Sequence, residues 1–172
     1  MQAETRQIRI VDPILAEIDQ EAEITKRLLD IVPEDKLTFR PHPKAKSLGE
    51  LAMHLATTQG MVAELGRQSK EAGDFPVDVQ PTSRTQILEA FAESTKKAKE
   101  IVGATDDNEA MAEWKLTKNG STFMAVPRVG FWRSILLNHA YHHRGQLSAY
   151  LRELDVPLPS IYGPSADTNP FA

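Results

Sequence analysis

Residues 127–154 read PRVGFWRSILLNHAYHHRGQLSAYLREL, and the fold turns on this stretch. Val129, Trp132, Leu136, His139, His143, Gln146 or Leu147, Tyr150 and Leu154 recur at steps of three and four, which gathers them on one side of a helix over about 128–154. Within that stripe His139 and His143 are four residues apart. Side chains at this spacing have Cβ atoms about 5–6 Å apart on one helix face, so two imidazoles can reach a common ion. They lie beside Leu136 and Leu147, where a neutral imidazole needs a polar partner.

Working outward, three further segments carry the same period. Ile14, Ile18, Ala22, Thr25, Leu29 and Val32 form a stripe over 12–32, opened by Asp12 as a cap and Pro13 in the first turn. Pro33, Pro41 and Pro43 make the next stretch a loop. Ser47 and Glu50 have the spacing of a capping box and open a helix over 47–70, with Leu48, Leu51, Leu55, Thr58, Val62 and Leu65 inward. Gly73, Pro76 and Pro81 break the chain again, and Ser83 to Gln86 repeats the box before a helix over 84–103, for which Gly103 is a C-terminal cap. Four long helices joined by such loops predict an all-α four-helix bundle forming a single domain over 1–172, with the tail 155–172 as coil. Residues 104–127 are less regular: 106–112 suits a short helix, and Asn119-Gly120 between short alternating runs suits a hairpin before the last helix.

Composition narrows the function. The chain has 172 residues, 20 Lys+Arg against 24 Asp+Glu, and a net charge of -4 with mixed signs on every segment, which argues against a nucleic-acid partner. No window reaches the roughly 18 apolar residues of a membrane span, and acidic residues arrive too early for a signal peptide, so a cytoplasmic protein is expected. There is no cysteine, hence no disulfide, no thiolate metal site and no cysteine nucleophile. GxGxxG, P-loop, GxSxG and HExxH motifs are absent.

His54 falls between Leu51 and Thr58, on the margin of the second helix's inward face. One ligand from one helix and an i, i+4 pair from another is how bundles build metal sites in their cores. His54, His139 and His143 are therefore candidate ligands of a divalent ion, with a fourth position open as in catalytic sites; the competing reading is three histidines packed in the core. Three imidazoles suit zinc, nickel, copper or iron, and zinc or nickel is expected, with iron or manganese as substitutes. His142 reads as a rim or interface residue and His42 as solvated. Glu50 serves the capping box or accepts the His54 ring N–H, while Met53 and Met61 fill packing gaps. The acidic run Glu17, Asp19, Glu21, Glu23 and the basic run Lys96, Lys97, Lys99 read as solvated helix faces.

The segment from His139 through His143-Arg144-Gly145-Gln146-Leu147 to Tyr150-Leu151-Arg152, followed by PLPSIYGPSAD at 157–167, resembles the end of a DinB/YfiT-like, damage-inducible protein. Ser47-Leu48-Gly49-Glu50-Leu51-Ala52-Met53-His54 resembles that family's first-ligand helix. The resemblance implies a four-helix bundle with a crossed connection, often a homodimer, with a divalent ion on the positions matched by His54, His139 and His143. Relatives include bacillithiol- and mycothiol-dependent transferases and a thiol-dependent maleylpyruvate isomerase. What this implies here is a metal-dependent thiol S-transferase acting on a low-molecular-weight thiol and a small electrophile. A hydrolase using water at the same site and a non-catalytic, dimeric stress-response module are the alternatives. Arg144 and Tyr162 are candidates for anion binding or substrate placement, against a surface salt bridge for Arg144 and tail packing for Tyr162.

Overall fold

The computed structural model describes residues 7–73 and 79–171; Pro76 of the second loop lies outside them. Its elements run α1 (Asp12–Leu29), a 3-10 turn (Glu34–Lys36), α2 (Leu48–Leu65), β1 (Lys70–Glu71), α3 (Arg84–Ala104), α4 (Asp107–Met111), β2 (Glu113–Lys118), β3 (Ser121–Pro127), α5 (Arg128–Phe131), a π-helical segment (Trp132–Leu137) and α6 (Asn138–Glu153). α1 and α2 each border α3 and α6, so these two consecutive helices face each other across the bundle and residues 30–47 cross its end. Among the described residues, no helix is long and apolar enough to cross a membrane.

Local chemistry accounts for the starts of α2 and α4, while two expected caps elsewhere are not used. Ser47 accepts from the Glu50 N–H (3.0 Å) while the Glu50 carboxylate accepts from the Ser47 N–H (2.8 Å), a complete capping box. Asp106 and Glu109 build the same motif at α4. Asp12 is not a cap: Val11 occupies that place, and the Asp12 carboxylate is turned back to the backbone N–H and guanidinium of Arg9. Nor does Gly103 end α3, which continues to Ala104 and is capped at Thr105.

The all-α expectation is overturned by a three-stranded sheet of order β1-β2-β3, with β1 parallel and β3 antiparallel to β2. Asn119 (φ 51°) and Gly120 (φ 77°) close the β2–β3 hairpin, both in the left-handed region that a tight two-residue turn demands. β1 begins at Lys70, the residue expected to end α2. That helix stops at Gly66, where any Cβ would overlap the Trp132 indole. The last carbonyls of a helix lack intrahelical donors. Here Trp114 Nε1 donates to the Leu65 and Gln68 carbonyls (3.1 and 2.7 Å), Trp132 Nε1 to Ala63 (3.4 Å) and Arg128 Nη2 to Arg67 (3.0 Å). The hairpin and the start of the last helix thus form a socket around the end of α2, floored by Trp114 stacked on Phe131 at 3.9 Å.

The expected uniform helix over 128–154 is likewise interrupted. Trp132–Leu137 is π-helical, and its extra residue per turn allows the neighbours Phe131 and Trp132, and then Leu136 and Leu137, to be buried in pairs. Two core clusters result. One centres on Leu28, Leu51, Leu55, Phe91 and Leu147, the other on Ile18, Val62, Trp114, Trp132 and Leu136.

Arg144 corrects a further expectation. It is 2% exposed rather than on the surface, and its Nη2 lies 2.6 Å from Glu21 Oε2 on α1. Arg144 Nη1 donates to the Glu21 carbonyl (3.4 Å) and Thr25 Oγ1 (3.3 Å), and the guanidinium lies over the rings of Tyr141 and Tyr162 at 5.2 and 4.9 Å. Tyr162 Oη donates to Glu21 Oε2 (2.6 Å) and accepts from Arg144 Nη2, which ties the tail to both helices. Glu21 is therefore not part of a solvated acidic face, and Glu17 on the same run accepts from Tyr141 Oη. Truncating one partner of a buried ion pair leaves the other charge uncompensated. Glu21→Ala should lower unfolding stability by about 3–5 kcal/mol in denaturant titration; Lys96→Ala, at an exposed ion pair, should cost under about 1 kcal/mol.

Candidate metal centre

His54 sits in the second turn of α2, and α6 supplies His139 and His143 one turn apart. Their rings meet edge to face and tilted, with Nε2 of His139 lying 3.1 Å from Nε2 of His54 and 2.6 Å from Nε2 of His143. The three donor atoms all fall within 4.8 Å of one another, and all three residues are only partly buried. Among the described residues, no other group of His, Cys, Asp or Glu converges in this way.

The protonation of the rings is set by their surroundings. His143 Nδ1–H donates to Gln146 Oε1 at 3.0 Å, which leaves Nε2 with its lone pair directed at the other two rings. Burial, opposed by the Gln146 hydrogen bond and assisted by the neighbouring histidines, pushes His143 down to about 4. Burial first, then the fields of His54, His142 and Lys46, lowers His139 as well. Both rings are thus neutral at pH 7, the state in which imidazole ligates a metal.

These residues fit a divalent ion. Nitrogen lone pairs facing one another repel unless a cation lies among them, and neutral imidazoles are good donors for zinc and its neighbours. With bonds of about 2.05 Å, a tetrahedral ion spaces its ligand nitrogens about 3.4 Å apart. The His54–His139 pair at 3.1 Å is close to that, and the His139–His143 pair at 2.6 Å has to open by a side-chain adjustment to admit the ion.

The other sequence candidates fall outside this group. His142 is exposed, with its ring 4.8 Å from that of His143 but its nitrogens outside the cluster. His42 is exposed in the loop and accepts from the Lys44 N–H (3.1 Å). Glu50 is engaged in the capping box and with Arg40 (2.9 Å), and Met53 is buried in the core. Arg144 and Tyr162 belong to the α1–α6 ion-pair network. Of the two residues expected for one position of the inward stripe, Leu147 is buried in the core, and Gln146, expected to have no role, contacts the His143 ring; its place three residues after His143 is the signal that points to it.

A mostly helical bundle that brings three imidazoles together defines a class of potential metal-binding helical proteins. The sequence profile of the DinB family matches residues 1–169, and the chain belongs to the DinB family. It is 25% identical over 165 residues to the uncharacterized protein YrdA of Bacillus subtilis strain 168, covering 91% of this chain and 90% of that one. A DinB-like protein of Bacillus cereus ATCC 10987 has a similar fold (TM-score 0.66, 24% identity, 86% of this chain and 95% of that one). So does a putative DinB family member from Exiguobacterium sibiricum 255-15 (TM-score 0.64, 18% identity, 90% and 98%).

The geometry sets two expectations. Elemental analysis of untagged protein should find divalent metal equimolar with the chain, lost in His54→Ala and His143→Ala; folded wild-type protein that takes up no metal on loading would refute the site. For the metal-free protein, the unfolded chain binds a proton on His143 near pH 6.5 while the folded chain resists until about 4. Stability should therefore be fully present above about pH 6.5 and decline as the pH falls towards about 4, with a shallower decline in His143→Asn, measured by thermal melts across that range.

Proposed function

We propose that this chain is a divalent-metal-dependent enzyme of the thiol S-transferase type, holding zinc or nickel on His54, His139 and His143, with iron or manganese as substitutes. The observation that carries the reading is the convergence of three imidazoles from two helices with no fourth His, Cys, Asp or Glu in the group among the described residues. A structural site is closed by four protein ligands, whereas a catalytic one keeps a position for substrate. When bound, the ion supplies a positive centre that favours a thiolate over a thiol and offsets the cost of holding that anion in a partly dry site.

The chain's own residues do the rest. Burial keeps His139 and His143 unprotonated, so no proton has to be displaced from either ring at neutral pH. Gln146 holds His143 with Nε2 turned inward. The protein contains no cysteine, so the sulfur nucleophile must arrive as a low-molecular-weight thiol, and the partly buried site leaves access for it and for a small electrophile. Membership of the DinB family supports this reading. A cytoplasmic homodimer is proposed with it, on the family likeness alone.

The test is consumption of a panel of small electrophiles by metal-loaded protein with and without thiol. Turnover that requires thiol and falls to background in His139→Ala supports the transferase. Undiminished turnover in thiol-free buffer transfers the site to hydrolysis, and a metal-loaded protein inert under both conditions leaves a binding module.

A further inference from the structure

His143 is the start of a directional chain of hydrogen bonds. Its Nδ1–H donates to Gln146 Oε1 (3.0 Å), the Gln146 amide Nε2 donates to Tyr150 Oη (3.5 Å), and Tyr150 Oη–H donates to the backbone carbonyl of Lys46 (3.4 Å). Residues 143, 146 and 150 are spaced by three and four, so the chain runs along one face of α6, and Tyr150 is 6% exposed with its ring edge-on to Phe39 at 6.4 Å. The Lys46 carbonyl shares its peptide with the Ser47 N–H, which the Glu50 carboxylate holds at 2.8 Å in the capping box of α2. The last member is thus anchored on the element that carries His54.

The polarity of this chain is decided at its far end. A backbone carbonyl can only accept. Tyr150 must then spend its single proton on Lys46, which turns an oxygen lone pair to Gln146 and so calls for the amide's NH2 end. The amide oxygen is left for His143, and an oxygen selects Nδ1–H. A flipped amide would present NH2 to Nδ1, draw out the lone pair there and place the proton on Nε2, the atom that faces the other two histidines. We propose that the Lys46 carbonyl, acting through Tyr150 and Gln146, sets the tautomer of His143, so that Gln146 and Tyr150 are positioning residues for metal capture. This deepens the metal-site reading and rests on it only for the metal itself.

The tautomer can be read in the full-length, metal-free protein by long-range proton–nitrogen NMR of the imidazoles. Wild type should show His143 as the Nδ1–H form, with that population reduced in Gln146→Leu and, to a smaller extent, in Tyr150→Phe. In chelator competition with zinc as the probe, Gln146→Leu should bind about 10–100-fold more weakly. Gln146→Glu, whose carboxylate can only accept, should keep the Nδ1–H form and bind zinc more tightly than Gln146→Leu. Circular dichroism checks that each variant is folded; Tyr150→Phe and Gln146→Glu retain the bulk of the side chains they replace. An Nε2–H form in wild type, or a folded Gln146→Leu with unchanged tautomer, overturns the proposal. Because the tautomer is read without metal, a wild-type chain that binds no zinc counts against the proposed function and leaves the relay to be decided by the NMR result alone.

Discussion

The rotational setting of α6 is the constraint on which the structure depends. His143 and Arg144 are adjacent in sequence and so project about 100° apart around the helix axis. His143 meets His54 of α2, and Arg144 meets Glu21 of α1. α1 and α2 stand across the bundle from each other, so one helix addresses both with neighbouring residues. A slip of one position would put the guanidinium among the imidazoles and leave Glu21 buried without its counter-charge. The ion pair, which need not add net stability over an apolar pair of the same volume, therefore opposes the wrong register strongly. The tail reinforces that setting, since Tyr162 engages both members of the pair.

The far end of the same helix is held by a different device. The sheet is small, but its hairpin, α5 and the first residue of the π-helical segment place two indoles and a guanidinium against the carbonyls at and just beyond the end of α2. Those contacts fix α2 lengthwise against the segment that leads into α6. The π-helical turn lies between this socket and the histidine level, with Trp132 and Leu136 buried and His139 facing His54. The three imidazoles are thereby positioned from two directions, by α2's anchored end and by α6's paired faces.

Much of this was legible in the sequence wherever the cause is local. The stripes of α1, α2 and α3, the Ser47–Glu50 capping box, the Asn119-Gly120 turn and the His139–His143 pair all follow from interactions within a few residues of one another. Of the box expected at Ser83 and Gln86 only the Ser83 half forms, the Gln86 side chain accepting from the Thr82 N–H instead. Structure and local signal part where another group competes for the same atoms or space. Asp12 has the composition of a cap, but Arg9 takes its carboxylate, and the guanidinium of Arg9 is itself held by the Gly103 carbonyl at 2.7 Å. The run from Gly66 to Lys70 carries nothing that forbids helix, yet the Trp132 indole occupies the space beside Gly66 and β2 offers Lys70 and Glu71 a parallel partner.

The sequence by itself determined the periodic helices and the pairing of two histidines on one face, because a helical repeat fixes which side chains share a face whatever lies opposite. Only the tertiary structure decided that the chain carries a mixed sheet, that Arg144 and Glu21 are buried together, and that Gln146 and Tyr150 stand behind His143 and are tied to the start of α2. A two-residue parallel strand, an ion pair between distant helices and a hydrogen-bond chain ending on a backbone carbonyl leave no periodicity in their own neighbourhoods. Their energy comes from groups far away along the chain, and they exist only once folding has brought those groups within reach.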